Sequence, residues 1–293
     1  MKADSNDLMF SIVVPVYEHW HLVPQLLTCL RQQTLPQHRF EVIVVDNGSG
    51  DISIPHELAD NVDILYCTTP GSYAARNEGV KRAKGTWLIF TDADCLPHPG
   101  WLASYSHYID KLGNHFCLLT GPIEMVLNTT EPNVYQIYDS VKGIPQYRYY
   151  KRGYAATANL AVNRQVMEAV GGFDSQRFSG GDAAFCEAAA RHGALLNWVA
   201  EAVIGHPARK SWNEVASKAK RIKGGQVASG KLAKRLYWLF RSLVPPFIEI
   251  YNLMNNKRYS LKMRLTACVV QLKVWCVSIA AIVDFLRYKK IER

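Results

Sequence analysis

The stretch FSIVVPVYEHWHLVPQLLTCLRQQTLPQHRFEVIVVD, residues 10 to 46, decides the fold. Its first seven residues, Phe10 to Val16, are apolar and rich in β-branched side chains, which reads as a buried strand. Leu22, Val23, Leu26, Leu27 and Leu30 then recur at the spacing of one helical face, so a helix is expected over Leu22 to Gln33, closed by Thr34 to Pro36. Phe40 to Val45 repeats the strand pattern and runs into the turn-rich Asp46-Asn47-Gly48-Ser49-Gly50-Asp51. Strand, helix, strand in that order is a parallel pair joined by a crossover helix.

The alternation continues outward from that unit. Val62 to Tyr66 reads as a strand, Gly71 to Lys84 as a helix, and Thr86 to Phe90 as a strand ending at Thr91-Asp92-Ala93-Asp94. Repeated βαβ units imply an α/β fold, a mostly parallel sheet flanked by helices with a Rossmann-like nucleotide-binding half. Ligands of such sheets bind at the carboxyl ends of the strands, where Tyr17-Glu18, Asp46-Asn47 and Asp92 to Asp94 all fall. Further on, Phe116 to Val126 is expected as one strand and Thr157 to Val162 as an apolar segment before a helix from Arg164 to Val170. Gly171-Gly172-Phe173-Asp174 is a helix stop. Ala183 to Arg191 is a helix ended by His192-Gly193, with Asp182 in its first turn.

Composition changes after Arg209. The chain has 293 residues and a formal charge of +9, 48% of its residues are hydrophobic and 20% charged, with no low-complexity tract, as in a folded protein. From Arg209 to Arg293 there are 19 Lys and Arg against 4 Asp and Glu, so the preceding 208 residues carry a net −6. Basic stretches surround Lys218, Lys220, Arg221 and Lys223, then Lys231, Lys234 and Arg235. Leu236 to Tyr251 is aromatic and apolar around Pro245-Pro246, and Leu265 to Leu286 is a 22-residue apolar stretch containing Lys273 and Asp284. The expected division is a catalytic domain over 1–209 and a basic, apolar helical region over 210–293. Lys and Arg beside Trp238, Phe240 and Trp275 suit an anionic membrane surface, lying in its plane rather than spanning it, although 265–286 has the length to span. Seven scattered cysteines without a C-x-x-C pair fit reduced thiols, and no apolar run precedes the first strand. A cytoplasmic enzyme, peripheral on the inner face of the plasma membrane, is expected.

The chemistry centres on Asp92-Ala93-Asp94, where alternate residues after a buried strand direct two carboxylates toward one hard cation, Mg²⁺ or Mn²⁺. Such an ion can neutralise charge on a leaving nucleoside diphosphate. A lone D-x-D triplet is a weak signal, since exposed loops contain many. Here it stands in an ordered series: Ser11 to Tyr17, Val44 to Asp51, Gly71-Ser72-Tyr73-Ala74-Ala75-Arg76-Asn77-Glu78-Gly79, Phe90 to Cys95 with Trp101, and Ser179-Gly180-Gly181-Asp182. In that order the segments resemble the family 2 glycosyltransferases, inverting enzymes with the GT-A fold, of the bacterial cell-surface glycan type. The resemblance covers roughly residues 10 to 210.

What the resemblance implies is an inverting transferase that moves a sugar from a nucleotide-diphosphate sugar, expected to be a UDP-sugar, to a hydroxyl of a saccharide or lipid-linked acceptor. It would set Pro15, Tyr17, Glu18, Asp46 and Asn47 around the base and ribose, Arg76 and Ala93 beside the donor, and Asp92 and Asp94 at the metal and diphosphate. His206 would be a third metal ligand, and Asp182 the general base that receives the acceptor proton. Thr157, Asn159 and Arg209 would fall on the acceptor side, with Arg209 and Lys210 near the diphosphate or an anionic acceptor. Each residue also has a plain reading: Asp46 as a turn former, Arg76 as an ion-pair partner, Asp182 as a helix N-terminal residue, His206 as a structural histidine. Gly181 departs from the commonest family form, which has an acidic residue before the base.

Two alternatives differ in sequence signature. A sugar nucleotidyltransferase would show a Gly-rich basic loop after the first strand, where this chain has Pro15-Val16-Tyr17-Glu18. A non-enzymatic protein that binds nucleic acid or membrane through the basic tail would bind DNA salt-dependently without binding nucleotide sugar, and no aromatic-basic recognition motif supports nucleic acid.

Overall fold

The structure is a computed structural model that describes residues 8–55, 57–177, 179–228 and 232–288. Lys231 lies outside the described residues, as do the side chains of Lys234, Arg235 and Asp284. Along the chain run β1 (Phe10–Val16), α1 (Val23–Arg31), β2 (Phe40–Asp46), β3 (Val62–Tyr66), α2 (Ser72–Arg82), β4 (Trp87–Phe90), β5 (Leu96–Pro97), α3 (Trp101–Ile109), β6 (Cys117–Thr120) and β7 (Ile123–Val126). There follow α4 (Val134–Lys142), α5 (Gln146–Tyr150), β8 (Leu160–Asn163), α6 (Arg164–Val170), α7 (Gly181–Arg191), β9 (Leu195–Trp198) and β10 (Ile204–Pro207). Four helices end the series: α8 (Trp212–Ala228), α9 (Leu232–Leu243), α10 (Phe247–Met254) and α11 (Leu261–Tyr288).

Seven strands form the main sheet in the order β3-β2-β1-β4-β8-β6-β9. β3, β2, β1 and β4 pair in parallel, with Val16 opposite Asp46 and Asp46 opposite Tyr66. β8 runs antiparallel to both β4 and β6, and β6 pairs in parallel with β9. One reversed strand in seven leaves the sheet mostly parallel. β1, β2, β4 and β8 are almost wholly buried, which explains why they read as continuous apolar runs rather than alternating ones. Their side chains pack with α2, α6 and α7 in a core that includes Val13, Ile43, Phe90, Leu160, Val166 and Phe185.

The strand expected over Phe116 to Val126 is two strands in two sheets. β6 belongs to the main sheet, and β7 joins a small sheet ordered β5-β10-β7. The break falls at Gly121-Pro122. A side chain at Gly121 would meet the Ala202 carbonyl oxygen at 2.1 Å, and Pro122 has no N–H to continue a ladder. Thr157–Asn159 forms a 3-10 turn rather than strand, leaving β8 to start at Leu160.

The chain divides into two compact units. The first comprises Met1–Glu124, Pro145–Gln176 and Gly181–His206, the second Met125–Ile144, Arg177–Gly180 and Pro207–Arg293. The single cut at Arg209 expected from composition therefore misses an exchange: α4 belongs to the helical unit although it lies far upstream in sequence. The reason is apolar pairing, because Tyr138 and Val141 of α4 pack with Val215, Leu253, Ala267, Val270 and Val274 in that unit's own core. Leu261–Val283 of α11 is long and apolar enough to cross a membrane by length and composition, with mean hydropathy 1.9, and 39% of it is buried in the protein.

Candidate active site

The carboxyl ends of β1, β2 and β4 deliver most of the residues singled out above, all within the first unit. At the end of β2, Asp46 is 2% exposed. Its Oδ1 accepts from Trp20 Nε1 at 2.8 Å, and its Oδ2 accepts from the backbone of Gly48 and Ser49 at 2.9 and 3.1 Å. Burial pushes this carboxyl up, but the hydrogen bonds from Ser49, Trp20 and Gly48 outweigh it and hold Asp46 below the ordinary value. Asn47 is buried too. It donates to the carbonyls of Cys67 and Thr69 at 3.1 and 2.7 Å and accepts from Gly71 N at 2.7 Å, tying the β2 end to the start of α2. Both residues therefore build the crevice wall. Glu18 has a left-handed φ of 59°. Its N–H donates to Ser49 Oγ at 2.9 Å and its carboxylate accepts from Gly50 N at 2.9 Å, joining the β1 and β2 loops, while Tyr17 beside it is exposed. Pro15 sits in β1 opposite Val45.

Arg76 of α2 is 3% exposed and pairs through Nη2 with Asp92 Oδ1 at 2.5 Å. Its Nε is buried without a hydrogen-bond partner. Asp92 is 38% and Asp94 33% exposed, so this carboxylate pair opens to solvent while the buried guanidinium supports it from below. Ala93 between them is buried. The two-residue strand β5 pairs with β10, Leu96 opposite Gly205, and this register sets His206 Nε2 3.4 Å from Asp94 Oδ2. His206 is itself buried.

Among the described residues, no three His, Cys, Asp or Glu side chains gather closely enough to hold a metal by themselves. The donor set nevertheless fits a hard divalent cation. Asp94 and His206 offer an oxygen and a nitrogen side by side, and Arg76 occupies only one oxygen of Asp92. An ion bound through one or two carboxylates and completed by phosphate oxygens and water needs no closed protein cage.

Asp182 stands in the first turn of α7, half-buried. Burial pushes its carboxyl above the ordinary value. The Ala183 N–H and the positive charge of Arg76 pull it down, and the negative charge of Asp92 pushes it further up. Asp182 thus shares one electrostatic neighbourhood with Arg76 and Asp92. Its immediate support is Tyr73, which sequence reading did not single out. Tyr73 Oη accepts from the N–H groups of Gly181 and Asp182 at 2.9 and 3.2 Å and lies 3.4 Å from Asp182 Oδ1. A side chain at position 181 would meet the Tyr73 ring at 2.6 Å. The glycine that replaces the family's usual acidic residue is therefore the space this tyrosine occupies.

The residues expected on the acceptor side fare differently. Asn159 is fully buried; its Oδ1 accepts from Trp101 Nε1 and Tyr105 Oη at 2.9 and 2.7 Å, and its Nδ2 donates to the carbonyls of Pro122 and Ala202 at 3.0 and 2.8 Å. With both polar atoms spent on the scaffold, Asn159 is a structural tie, which corrects the acceptor assignment. Thr157 is buried in the adjoining turn. Arg209 belongs to the second unit, where it pairs with Asp139 at 3.0 Å.

Comparison with known proteins places this geometry. The glycosyl transferase family 2 profile matches residues 11–176. Glycosyltransferase AglE of Haloferax volcanii is 35% identical over 227 residues, covering 74% of this chain and 72% of AglE. The mannosyltransferase PcManGT from Pyrobaculum calidifontis, solved with GDP-Man and Mn²⁺, superposes with a TM-score of 0.60 over 96% of this chain and 88% of that one, at 17% identity. Staphylococcus aureus TarS 1–349, solved with UDP-GlcNAc, gives 0.54 over 98% and 93% at 16% identity. With a profile matched over more than half its length, and a one-third identity to AglE sustained across most of both chains, this glycosyltransferase of GT-A fold belongs to glycosyl transferase family 2.

Proposed function

We propose that the chain transfers a sugar, with inversion at the anomeric carbon, from a nucleoside-diphosphate sugar to a hydroxyl of a saccharide or lipid-linked acceptor in cell-surface glycan synthesis. The observation that carries this reading is the solvent-facing Asp92 and Asp94 carboxylates after β4, with Arg76 paired to Asp92 and His206 beside Asp94, and with Asp182, its carboxyl raised by burial, in the first turn of α7. A base poised this way removes the acceptor hydroxyl proton as the new bond to the anomeric carbon forms and the bond to the diphosphate oxygen breaks. Tyr17, Glu18 and the Asp46-Asn47 loop would take the base and ribose. Asp92, Ala93 and Arg76 would line the diphosphate, with the unpartnered Nε of Arg76 donating to a phosphate oxygen. Asp92, Asp94 and His206 would hold Mn²⁺ or Mg²⁺, which neutralises charge on the departing nucleoside diphosphate.

UDP is the nucleotide this reading puts first, in line with the TarS complex, and GDP is the rival set by the PcManGT complex. TarS also bears on the acceptor: it is a poly(ribitol-phosphate) β-N-acetylglucosaminyltransferase, 30% identical over 110 residues. Membrane association through residues 210–293 is supported by the exposed apolar side chains of Phe240, Phe247, Ile248, Tyr251 and Val269 beside basic helices.

The test is a panel of UDP- and GDP-sugars with Mn²⁺, Mg²⁺ or chelator, scored for nucleoside diphosphate release. Turnover is expected with one donor and is lost on chelation. Full turnover in chelator removes the metal from the reading. Asp182→Asn is expected to keep donor affinity within about twofold while lowering transfer by at least ~10²-fold; comparable turnover would refute the base.

A further inference from the structure

A cluster of aromatic rings that the chemistry above does not use stands on α5 and β9, both in the first unit. Tyr147 and Tyr150 are one helical turn apart on α5, with 5.9 Å between ring centroids. Each meets Trp198 of β9, Tyr147 edge to face at 5.1 Å and Tyr150 at a tilt at 5.6 Å, so the three rings close a triangle. Lys151 Nζ lies 5.4 Å from the Tyr147 centroid and 5.7 Å from that of Tyr150. Tyr147 is 53% exposed, and Arg148 and Lys151 beside it are exposed as well. Neither of these two cations has an ion-pair partner among the described residues.

The sheet sets this cluster in line with the aspartate pair. Phe90, Leu160, Thr120 and Trp198 are register partners across β4, β8, β6 and β9, so Trp198 closes the row that Phe90 begins, two residues before Asp92. Three strand spacings separate the ends of that row, about 14 Å. Leu196, two residues before Trp198, packs against the core that holds Phe185 and Cys186 of α7, so Trp198 stands on the side of the sheet that α7 covers. α7 turns back into β9 through His192-Gly193, which puts its first turn, with Asp182, at the end of β9 where Trp198 stands. Gln146 fastens α5 to the same row, donating to Thr120 Oγ1 at 2.8 Å. α5 also reaches toward Asp182: Tyr149 stacks on Tyr154 at 4.8 Å, and both hydroxyls, raised by burial, are raised further by the Asp182 charge. Aromatic faces carry partial negative charge, so the C–H-rich face of a sugar ring packs on them while its hydroxyls stay in water. Arg148 and Lys151 add donors for an acidic substituent on such a ring.

We propose that Tyr147, Tyr150 and Trp198, flanked by Arg148 and Lys151, form an aromatic platform that holds the sugar rings of an acidic saccharide acceptor on the approach to Asp182, an inference that rests on the transferase reading above. Full-length protein is titrated, without donor, with β-1,4-linked glucose and mannose tetramers and with the corresponding tetrauronates. Binding is read by saturation-transfer NMR with irradiation of the aromatic protons. Transfer to the sugar C–H protons is expected, with at least one tetrauronate bound about tenfold more tightly than its neutral counterpart. Tyr147→Ala, at a half-exposed position, is expected to keep the parent's Tm and to weaken that binding about fivefold. R148Q/K151Q is expected to level the acidic and neutral tetramers. Absence of binding by every tetramer, parent-like affinity in Tyr147→Ala, or an undiminished preference for the uronate in R148Q/K151Q overturns the platform. So does a Tyr147→Ala protein that keeps tetramer affinity and loses retention on phosphatidylglycerol vesicles, which makes the patch a membrane contact. Because no donor is present and no turnover is read, failure here leaves sugar transfer standing. Tetramer binding by a protein that releases nucleoside diphosphate from no donor would instead refute transfer, and with it the acceptor role of the platform, while its saccharide binding stands.

Discussion

In the proposed reaction, Asp182 acts as a base tuned by its surroundings. Its carboxyl lies above the ordinary value because burial and the Asp92 charge outweigh the Ala183 N–H and Arg76. A base works only once deprotonated, so the acidic limb of kcat/KM is expected at a pH above the usual carboxylate pKa of about 4. Arg76→Met removes a charge that pulls the carboxyl down, and should move that limb to higher pH. A limb at or below pH 4, or one that Arg76→Met shifts downward, contradicts the assignment. Gly181→Ala tests the packing side of the same site. Its methyl group would drive against the Tyr73 ring, so a loss of about 1–3 kcal/mol in urea unfolding is expected, together with a fall in transfer as Asp182 is displaced.

Elements show where the sequence was transparent and where it was not. β1, β3 and α6 fall where periodicity puts them, because each is a local pattern closed by a turn or a left-handed glycine such as Gly171, φ 81°. The boundary between β6 and β7 was opaque: the apolar run through Gly121 looks continuous, and the carbonyl that breaks it comes from Ala202, some eighty residues later. The same asymmetry governs the site. The order of the motifs singled out Asp92, Asp94, Arg76 and Asp182 as candidates, whereas Tyr73 meets its partner across 108 residues and leaves no local mark. Asn159 was misassigned because a polar residue beside a strand looks available until its four partners are seen. Asn159→Ala is accordingly expected to cost about 3 kcal/mol or more of stability, by leaving buried donors and acceptors unpaired. A variant of unchanged Tm with a raised acceptor KM would restore the acceptor role.

Across the whole molecule, charge is distributed so that the chain's last 85 residues carry more than its entire net excess. Retention on anionic vesicles should therefore be strong at low ionic strength and fall as salt shortens the Debye length, roughly 10 Å at 0.1 M, while neutral vesicles retain less. Equal retention on both lipids would leave the basic residues without that role.

The order of strands also bears on how the chain is made. β3, β2, β1 and β4 lie side by side and come from one uninterrupted run that is finished at Phe90, so their pairing waits for nothing synthesised afterwards. The reversed strand β8 and its neighbours β6 and β9 come from the later part of the chain. The strands and helix that carry Asp46 and Arg76 thus leave the ribosome before Asp182 has been translated, and the core they share with α6 and α7 closes once those helices have followed.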